Sequence, residues 1–217
     1  MCTPLTLSQY AGWGAASYLL GAIPFGLLLS RLKGMDIRTV GSGNIGATNV
    51  FRAVSKPLGI LTFILDMLKG WVPAWLFPLL AQRMASHATG PSPDLAALCA
   101  CLAIAGHNWP LYLRFKGGKG VATSAGAVLG LAPLAVAIGL SVWVLVFLVT
   151  RYVSVASMIA AMAVVGAGWM IYPRHDWLLP VLLTALGLVI VVRHTSNLQR
   201  LRQGTEHQFQ FGRRRQS

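Results

Sequence analysis

Apolar runs of about 17 to 25 residues recur along this chain, each long enough to cross a hydrocarbon core of roughly 30 Å as a helix. A soluble domain of 217 residues would need far more polar surface than this one owns: 55% of its residues are hydrophobic and only 11% are charged. The bilayer is therefore the solvent in which the fold has to be argued. The chain reads as an all-α, polytopic membrane protein.

The runs predict helices over residues 8–30, 58–80 and 95–112, with Pro24 kinking the first and a Ser/Pro/Gly loop leading into the third. Between Gly120 and Ile171 the apolar stretch fits either two long helices or three shorter ones, and sidedness chooses between them. A short helix over 121–131, a turn at Ala132-Pro133 and a helix over 134–150 keep the basic segments on one side; helices over 154–171 and 177–192 complete seven. With the N-terminus outside and the C-terminus cytoplasmic, every Lys and Arg except Lys69, Arg83 and Arg174 falls on the cytoplasmic side, a strong positive-inside bias. No Lys or Arg precedes the first run, so it lacks the charged opening of a secretory signal peptide and is expected to stay as a helix. No internal repeat is visible, and the whole of 1–217 is expected to form a single membrane-integral domain.

Eighteen Lys and Arg face five acids, a net charge of +13. Topology accounts for that imbalance. A nucleic-acid partner would need a folded, aromatic-studded basic surface, and no polar segment is long enough to build one. The terminal Arg213-Arg214-Arg215 suits attraction to anionic membrane lipid. Of the three cysteines, Cys2 is expected outside, and Cys99 and Cys101 lie inside an apolar run where a small polarizable side chain packs easily. Neither a disulfide framework nor a zinc spacing is present.

Three polar segments carry more than charge. The first, residues 38–52, contains Gly41, Ser42, Gly43, Asn44, Gly46, Thr48, Asn49 and Arg52. Glycines let backbone N–H groups turn inward as an anion nest, and hydroxyls, amides and guanidinium groups add donors for phosphate oxygens. The second, residues 114–124, runs Phe115-Lys116-Gly117-Gly118-Lys119-Gly120 into a short helix, whose positive N-terminal end suits phosphate. It is not a nucleotide P-loop: Gly120 follows Lys119 where Ser or Thr is needed, and Leu113 stands at the first glycine position. A plain juxtamembrane basic cluster would also hold anionic lipid there. The third, residues 193–206, follows the last helix; if that helix continues, His194 and Asn197 share a face, although a histidine at a helix end also serves as a simple cap. Ser154 and Ser157 lie one turn apart beside Arg151, where capping alone accounts for Ser154. Asp66 and Lys69 sit within the second helix, as a functional ion or as a salt bridge that steadies the bundle.

The strings Gly21-Ala-Ile-Pro-Phe-Gly26, Gly41-Ser-Gly-Asn-Ile-Gly-Ala-Thr-Asn49, Gly106-His107, Phe115-Lys-Gly-Gly-Lys-Gly-Val-Ala-Thr123 and Arg193-His-Thr-Ser-Asn197 with Gly204-Thr-Glu206 together resemble the bacterial acyl-phosphate:glycerol-3-phosphate acyltransferase family. The resemblance spans about residues 18–206 and departs in small ways, such as Ala22 in place of Ser and the arginine-rich tail. It implies a seven-helix enzyme of the bacterial cytoplasmic (inner) membrane that moves a fatty acyl group from acyl phosphate to the 1-hydroxyl of glycerol 3-phosphate. Lysophosphatidate and inorganic phosphate are the implied products. The same resemblance implies catalytic roles for Ser42, Arg52, Lys116, Lys119, His194 and Asn197. Around them Gly41, Gly43, Asn44, Thr48, Asn49, Gly117, Gly118, Gly120, Ser154, Ser157 and Glu206 are the expected substrate contacts.

Two phosphorylated reactants need more than one cluster of fixed donors and cations, and the acyl chain needs hydrocarbon, so the residues and the implied reaction agree. The expected chemistry is direct transfer without cofactor, metal or enzyme nucleophile: Asp36 and Glu206 are the only acids expected on the cytoplasmic side, and acyl phosphate is already an activated anhydride. His194 or a substrate phosphate oxygen would accept the hydroxyl proton. A transporter would place its site near the bilayer midplane and often shows inverted repeats, whereas the polar motifs here gather on one face. The chain is expected to work as a monomer among membrane lipids.

Overall fold

A computed structural model describes residues 5–84, 91–172 and 177–210. Cys2, Arg174 and Arg213-Arg214-Arg215 lie outside the described residues. Among those described, every regular element is helical. The chain divides into two compact units, Met1–Pro133 and Leu134–Ser217.

The first unit holds α1 (Leu7–Ala22), α2 (Phe25–Arg31), α3 (Ala47–Ala53), α4 (Lys56–Trp71), a π-helical turn (Val72–Leu76), α5 (Phe77–Met84), α6 (Pro93–Asn108), a 3-10 turn (Leu111–Leu113) and α7 (Val121–Leu131). The kink expected at Pro24 is a full break: Ile23 and Pro24 leave helical geometry, with ψ of 117° and 71°. Residues 58–80 do not form one uniform helix. Pro73 and Pro78 each lack an N–H and crowd the carbonyl four residues back, and the chain widens into the π turn between α4 and α5. Pro110 ends the third helix, α6, at Asn108. The first polar segment, 38–52, for which no helix was expected, runs into the two-turn helix α3.

Ser55 and Ser92 cap α4 and α6, each accepting an N–H three residues on, with Pro following within the first turn. α1 lies along α6 at backbone contact: a side chain on Gly21 would strike the Ala103 backbone, and one on Gly106 would strike the Tyr18 carbonyl. Small residues are what allow helices to meet this closely in a membrane, where apolar bulk alone drives little association. α4 meets α7 in the same way, through Gly70 and Gly126.

The second unit holds α8 (Pro133–Thr150, whose first residue belongs to the first unit), α9 (Val153–Ile171), α10 (Leu178–Arg193) and α11 (Thr195–Arg202). The helix break expected at Ala132-Pro133 falls there, with α7 ending at Leu131 and α8 beginning at Pro133. On α8 only Ala135 and Gly139 are buried, and Leu140, Leu145, Leu148 and Val149 are exposed, as a lipid-facing helix requires. α10 and α11 meet at a 49° bend at His194.

Among the described residues five stretches can cross a bilayer by length and composition: Leu7–Arg31, Lys56–Met84, Pro93–Leu113, Pro133–Thr150 and Val153–Ile171; the bent pair α10 and α11 would make six. Val121–Leu131, at 11 residues, is too short to cross alone, since it rises only about 16 Å. Gly106→Ala is expected to destabilise the bundle by about 1–3 kcal/mol through overpacking, read as a lower Tm in detergent. Gly166→Ala, which meets nothing within 4 Å, should leave Tm unchanged.

Candidate active site

The first glycine-rich segment is a built structure and not a tether. Ile37, Ile45 and Val50 are buried with Leu27, and Val40, Leu58 and Leu113 pack around them. These anchors are flanked by left-handed turns at Gly41 and Gly43, with φ of 59° and 69°, which a side chain would strain. Asn49 organises the turn. Its Oδ1 accepts the Ser42 N–H at 3.0 Å, and its Nδ2 donates to the carbonyls of Ile37, Val40 and Asn44 at 3.2, 3.0 and 2.9 Å. Asn44 Oδ1 in turn accepts the Gly46 N–H at 2.8 Å, where α3 begins. The amides of Asn44 and Asn49, expected as substrate contacts, therefore act on the loop backbone, while the Ser42 side chain and Arg52 on α3 are exposed and Thr48 is half-buried. Nearby Arg38 clasps Asp36 and holds that carboxyl well below the usual carboxylate range, chiefly through side-chain hydrogen bonding.

The second segment lies flat on the C-terminal end of α6. Arg114 and Phe115 adopt left-handed φ of 52° and 62°, uncommon for residues with side chains, and turn the chain back. Gly118 N–H then donates to the His107 carbonyl at 3.1 Å. A side chain on Gly117 would strike that carbonyl, one on Gly118 would strike the His107 ring, and one on Gly120, where φ is 79°, would sit 2.6 Å from Asn108 Oδ1. Lys116 is exposed and Lys119 half-buried, to either side of the two central glycines. Gly120 opens α7, so backbone N–H groups at a helix start face the segment. Leu113, three residues before Lys116, packs on the core of the first segment, which brings both segments to one end of this unit. Beside them a groove of about 330 Å³ is lined by Ile23, Pro24, Leu27, Leu28, Tyr112 and Leu113, with Arg31 as its cation.

In the second unit Glu206 is the hub. Its Oε1 accepts from Ser154 Oγ at 2.9 Å and Asn197 Nδ2 at 2.7 Å, and its Oε2 from Arg200 Nε at 2.8 Å. Burial pushes the carboxyl pKa up, but the three donors outweigh it and hold the group below its ordinary 4.5. Just beyond, Phe209 N–H donates to the Arg151 carbonyl at 2.8 Å, so the chain after α11 is fastened to the α8–α9 corner. Ser157, the other expected serine contact, donates to Val153 O and accepts from Trp143 Nε1 at 3.2 Å. The last helix does not run straight through His194. That residue closes α10 at φ −100°, is buried, and sets its Nδ1 2.8 Å from the Ile190 carbonyl; Asn197 belongs to the first turn of α11, its N–H bonded to His194 O. A carbonyl can only accept, so Nδ1 carries the proton, and in the neutral ring Nε2 is the basic nitrogen.

A sequence model described as glycerol-3-phosphate acyltransferase matches residues 11–204. The chain belongs to that family. The glycerol-3-phosphate acyltransferase of Trichlorobacter lovleyi is 44% identical to it over 197 residues, 91% of this chain and 96% of the relative. The crystal structure of PlsY (YgiH), an integral membrane glycerol 3-phosphate acyltransferase in its glycerol 3-phosphate form, superposes with a TM-score of 0.81 at 38% identity, over 93% of this chain and 96% of that one. Its lysophosphatidic acid form gives 0.79 at 37% identity, over 93% and 95%. This protein is accordingly an integral membrane acyltransferase.

The sequence of the acyltransferase pointed to the segments but not to what holds them. His107 stands in a quoted motif without an assigned role, and the partners of the Glu206 carboxylate, Ser154, Asn197 and Arg200, are not marked in its motif. The only sequence signal for either is position: His107 directly precedes the Asn108–Pro110 helix stop, and Glu206 follows the left-handed Gly204. A carboxyl whose folded pKa lies below 4.5 contributes stability that is complete above that value and fades as pH falls through the folded one. The Tm difference between the wild type and Glu206→Gln is therefore expected to be constant near neutrality and to shrink below about pH 4.5. A difference that grows on acidification contradicts this.

Proposed function

We propose that the enzyme transfers a fatty acyl group from acyl phosphate to the 1-hydroxyl of sn-glycerol 3-phosphate, yielding lysophosphatidate and inorganic phosphate. The observation that carries this reading is the pair of glycine-turned, cation-bearing segments at one end of the first unit, because two phosphorylated reactants call for two sets of donors. The forms in which PlsY was solved, one with glycerol 3-phosphate and one with lysophosphatidic acid, differ by one acyl ester and so bracket an acceptor and its acylated product.

In this reaction the 1-hydroxyl oxygen attacks the acyl carbonyl carbon and forms the ester. The bond from that carbon to the phosphate oxygen breaks, and phosphate leaves with the electron pair. The hydroxyl proton passes to Nε2 of His194, whose ring is oriented by Ile190 O. Arg52, Lys116 and Lys119, with the backbone N–H groups of Gly41, Gly43, Gly117, Gly118 and Gly120, hold phosphate oxygens and the developing oxyanion. Ser42 and Thr48 orient the acceptor phosphate; Asn44 and Asn49 brace the first segment, and Ser154, Ser157, Asn197 and Glu206 brace the part of the chain that carries His194. The groove at Pro24 suits the start of an acyl chain.

The whole chain acts as one catalytic domain and as a monomer, with seven helices in the bacterial cytoplasmic membrane. Its N-terminus lies outside and its reactive segments face the cytoplasm. The distribution of basic residues supports that sidedness.

Purified protein in detergent is expected to release phosphate from palmitoyl phosphate only when glycerol 3-phosphate is present, with one lysophosphatidate formed per phosphate. Phosphate release without the acceptor, or turnover only with an acyl thioester, contradicts the reading. His194→Gln should lower kcat by about 10²- to 10⁴-fold; an unchanged pH–rate profile assigns the proton to a substrate phosphate oxygen instead.

A further inference from the structure

Three buried polar side chains of the first unit have no part in the reaction as written. Asp66 is 2% exposed, Lys69 3% and His107 4%, on α4 and α6. Lys69 Nζ donates to the Ile23 carbonyl at 2.7 Å, at the break where α1 ends and Pro24 offers no N–H. The same nitrogen lies 2.8 Å from Asp66 Oδ1 and 5.5 Å from the centre of the Phe25 ring. Asp66 Oδ1 in turn stands 3.8 Å from His107 Nδ1. A chain of polar contacts thus runs from the break in the first span, through α4, to the last turn of α6.

Stability alone does not explain it. Burying two charges costs several kcal/mol per ion, and well-packed apolar residues of similar volume usually serve as well or better. What the chain of contacts reaches is more specific. His107 is the platform on which the second segment rests: its carbonyl accepts the Gly118 N–H, and its ring fills the space that a Gly118 side chain would need. A shift of the α6 end by a fraction of an ångström would move Gly117 and Gly118, and with them Lys116 and Lys119.

We propose that Asp66 and Lys69 are positioning residues, which fix His107 between the Ile23–Pro24 break and the Gly117–Gly118 backbone and so set the height of the phosphate-holding segment. The inference rests on the reading of residues 116–120 as phosphate-holding. It assigns the intramembrane ion pair a task in substrate binding, with no contact to substrate.

The test uses the purified full chain, with glycerol 3-phosphate and palmitoyl phosphate varied in turn. Gly118→Ala perturbs the segment directly, and the KM it raises identifies the reactant held there. The double variant Asp66→Asn with Lys69→Met removes the pair without stranding a buried charge. It is expected to raise the same KM by about tenfold, with kcat within about threefold, because the lost interaction grips ground state and transition state alike. Its Gly118 amide should also exchange faster with deuterium. Asp66→Asn alone, which keeps the side-chain volume and the Lys69–Ile23 bond, should raise that KM by a smaller factor, and it decides the matter should the double variant fail to fold. If Gly118→Ala changes neither KM, the phosphate-holding reading fails and the proposal with it. If Gly118→Ala raises one KM and the folded Asp66 variants leave that KM unchanged, the positioning role alone is overturned.

Discussion

Hydrocarbon offers a broken helix no water with which to satisfy its exposed backbone, so every interruption of a span has to be answered by the protein. Two such answers organise this enzyme. Where Pro24 interrupts the first span, the ammonium of Lys69 reaches the Ile23 carbonyl; where α10 bends into α11, the ring of His194 meets the Ile190 carbonyl. A third interruption, at Pro73 and Pro78, is absorbed by widening the helix into a π turn. Polar side chains are thus placed where an interrupted backbone needs them.

Each reactive segment also has one buried side chain that holds its backbone. Asn49 gathers the turn bearing Ser42, His107 carries Gly118, and Glu206 ties Asn197 and Arg200 to Ser154. The cations and hydroxyl expected to meet phosphate sit at the exposed tips of the first two: Ser42, Arg52 and Lys116. This division is an economical way to build an anion site beside a membrane. Long cationic side chains lose much rotamer freedom when fixed, whereas a backbone nest held by a buried amide or imidazole is already ordered before the reactant arrives. The left-handed pair Arg114 and Phe115 belongs to the same design, since the turn they force lays the glycines on the end of α6.

The helices were largely legible in the sequence because the bilayer imposes length and apolarity residue by residue, and the helix bounds over residues 121–150 fall close to those expected. The break before α2 and the start of α8 both fall at prolines, Pro24 and Pro133. Less visible were the features set by partners distant in the chain. Nothing local marks α3 as a helix: its seven residues are stabilised by Val50 packing against Leu27 and Ile37. Nor does the i,i+3 spacing of Asp66 and Lys69 disclose that the lysine also reaches Ile23, 46 residues away. The motif residues stood out as strings, but their division into backbone holders and exposed tips depends on which hydrogen bonds form, as with Asn49 and Glu206.

The central claim is that segments 38–52, 114–124 and 193–206 face one side of the membrane, where two phosphorylated reactants meet. Its most direct test is sided labelling of single-cysteine variants, Ser42→Cys, Lys116→Cys and Arg202→Cys, in a background without Cys2, Cys99 and Cys101, using a membrane-impermeant maleimide. All three positions should react in inverted vesicles and none in intact spheroplasts. A position that labels from the outside contradicts the account.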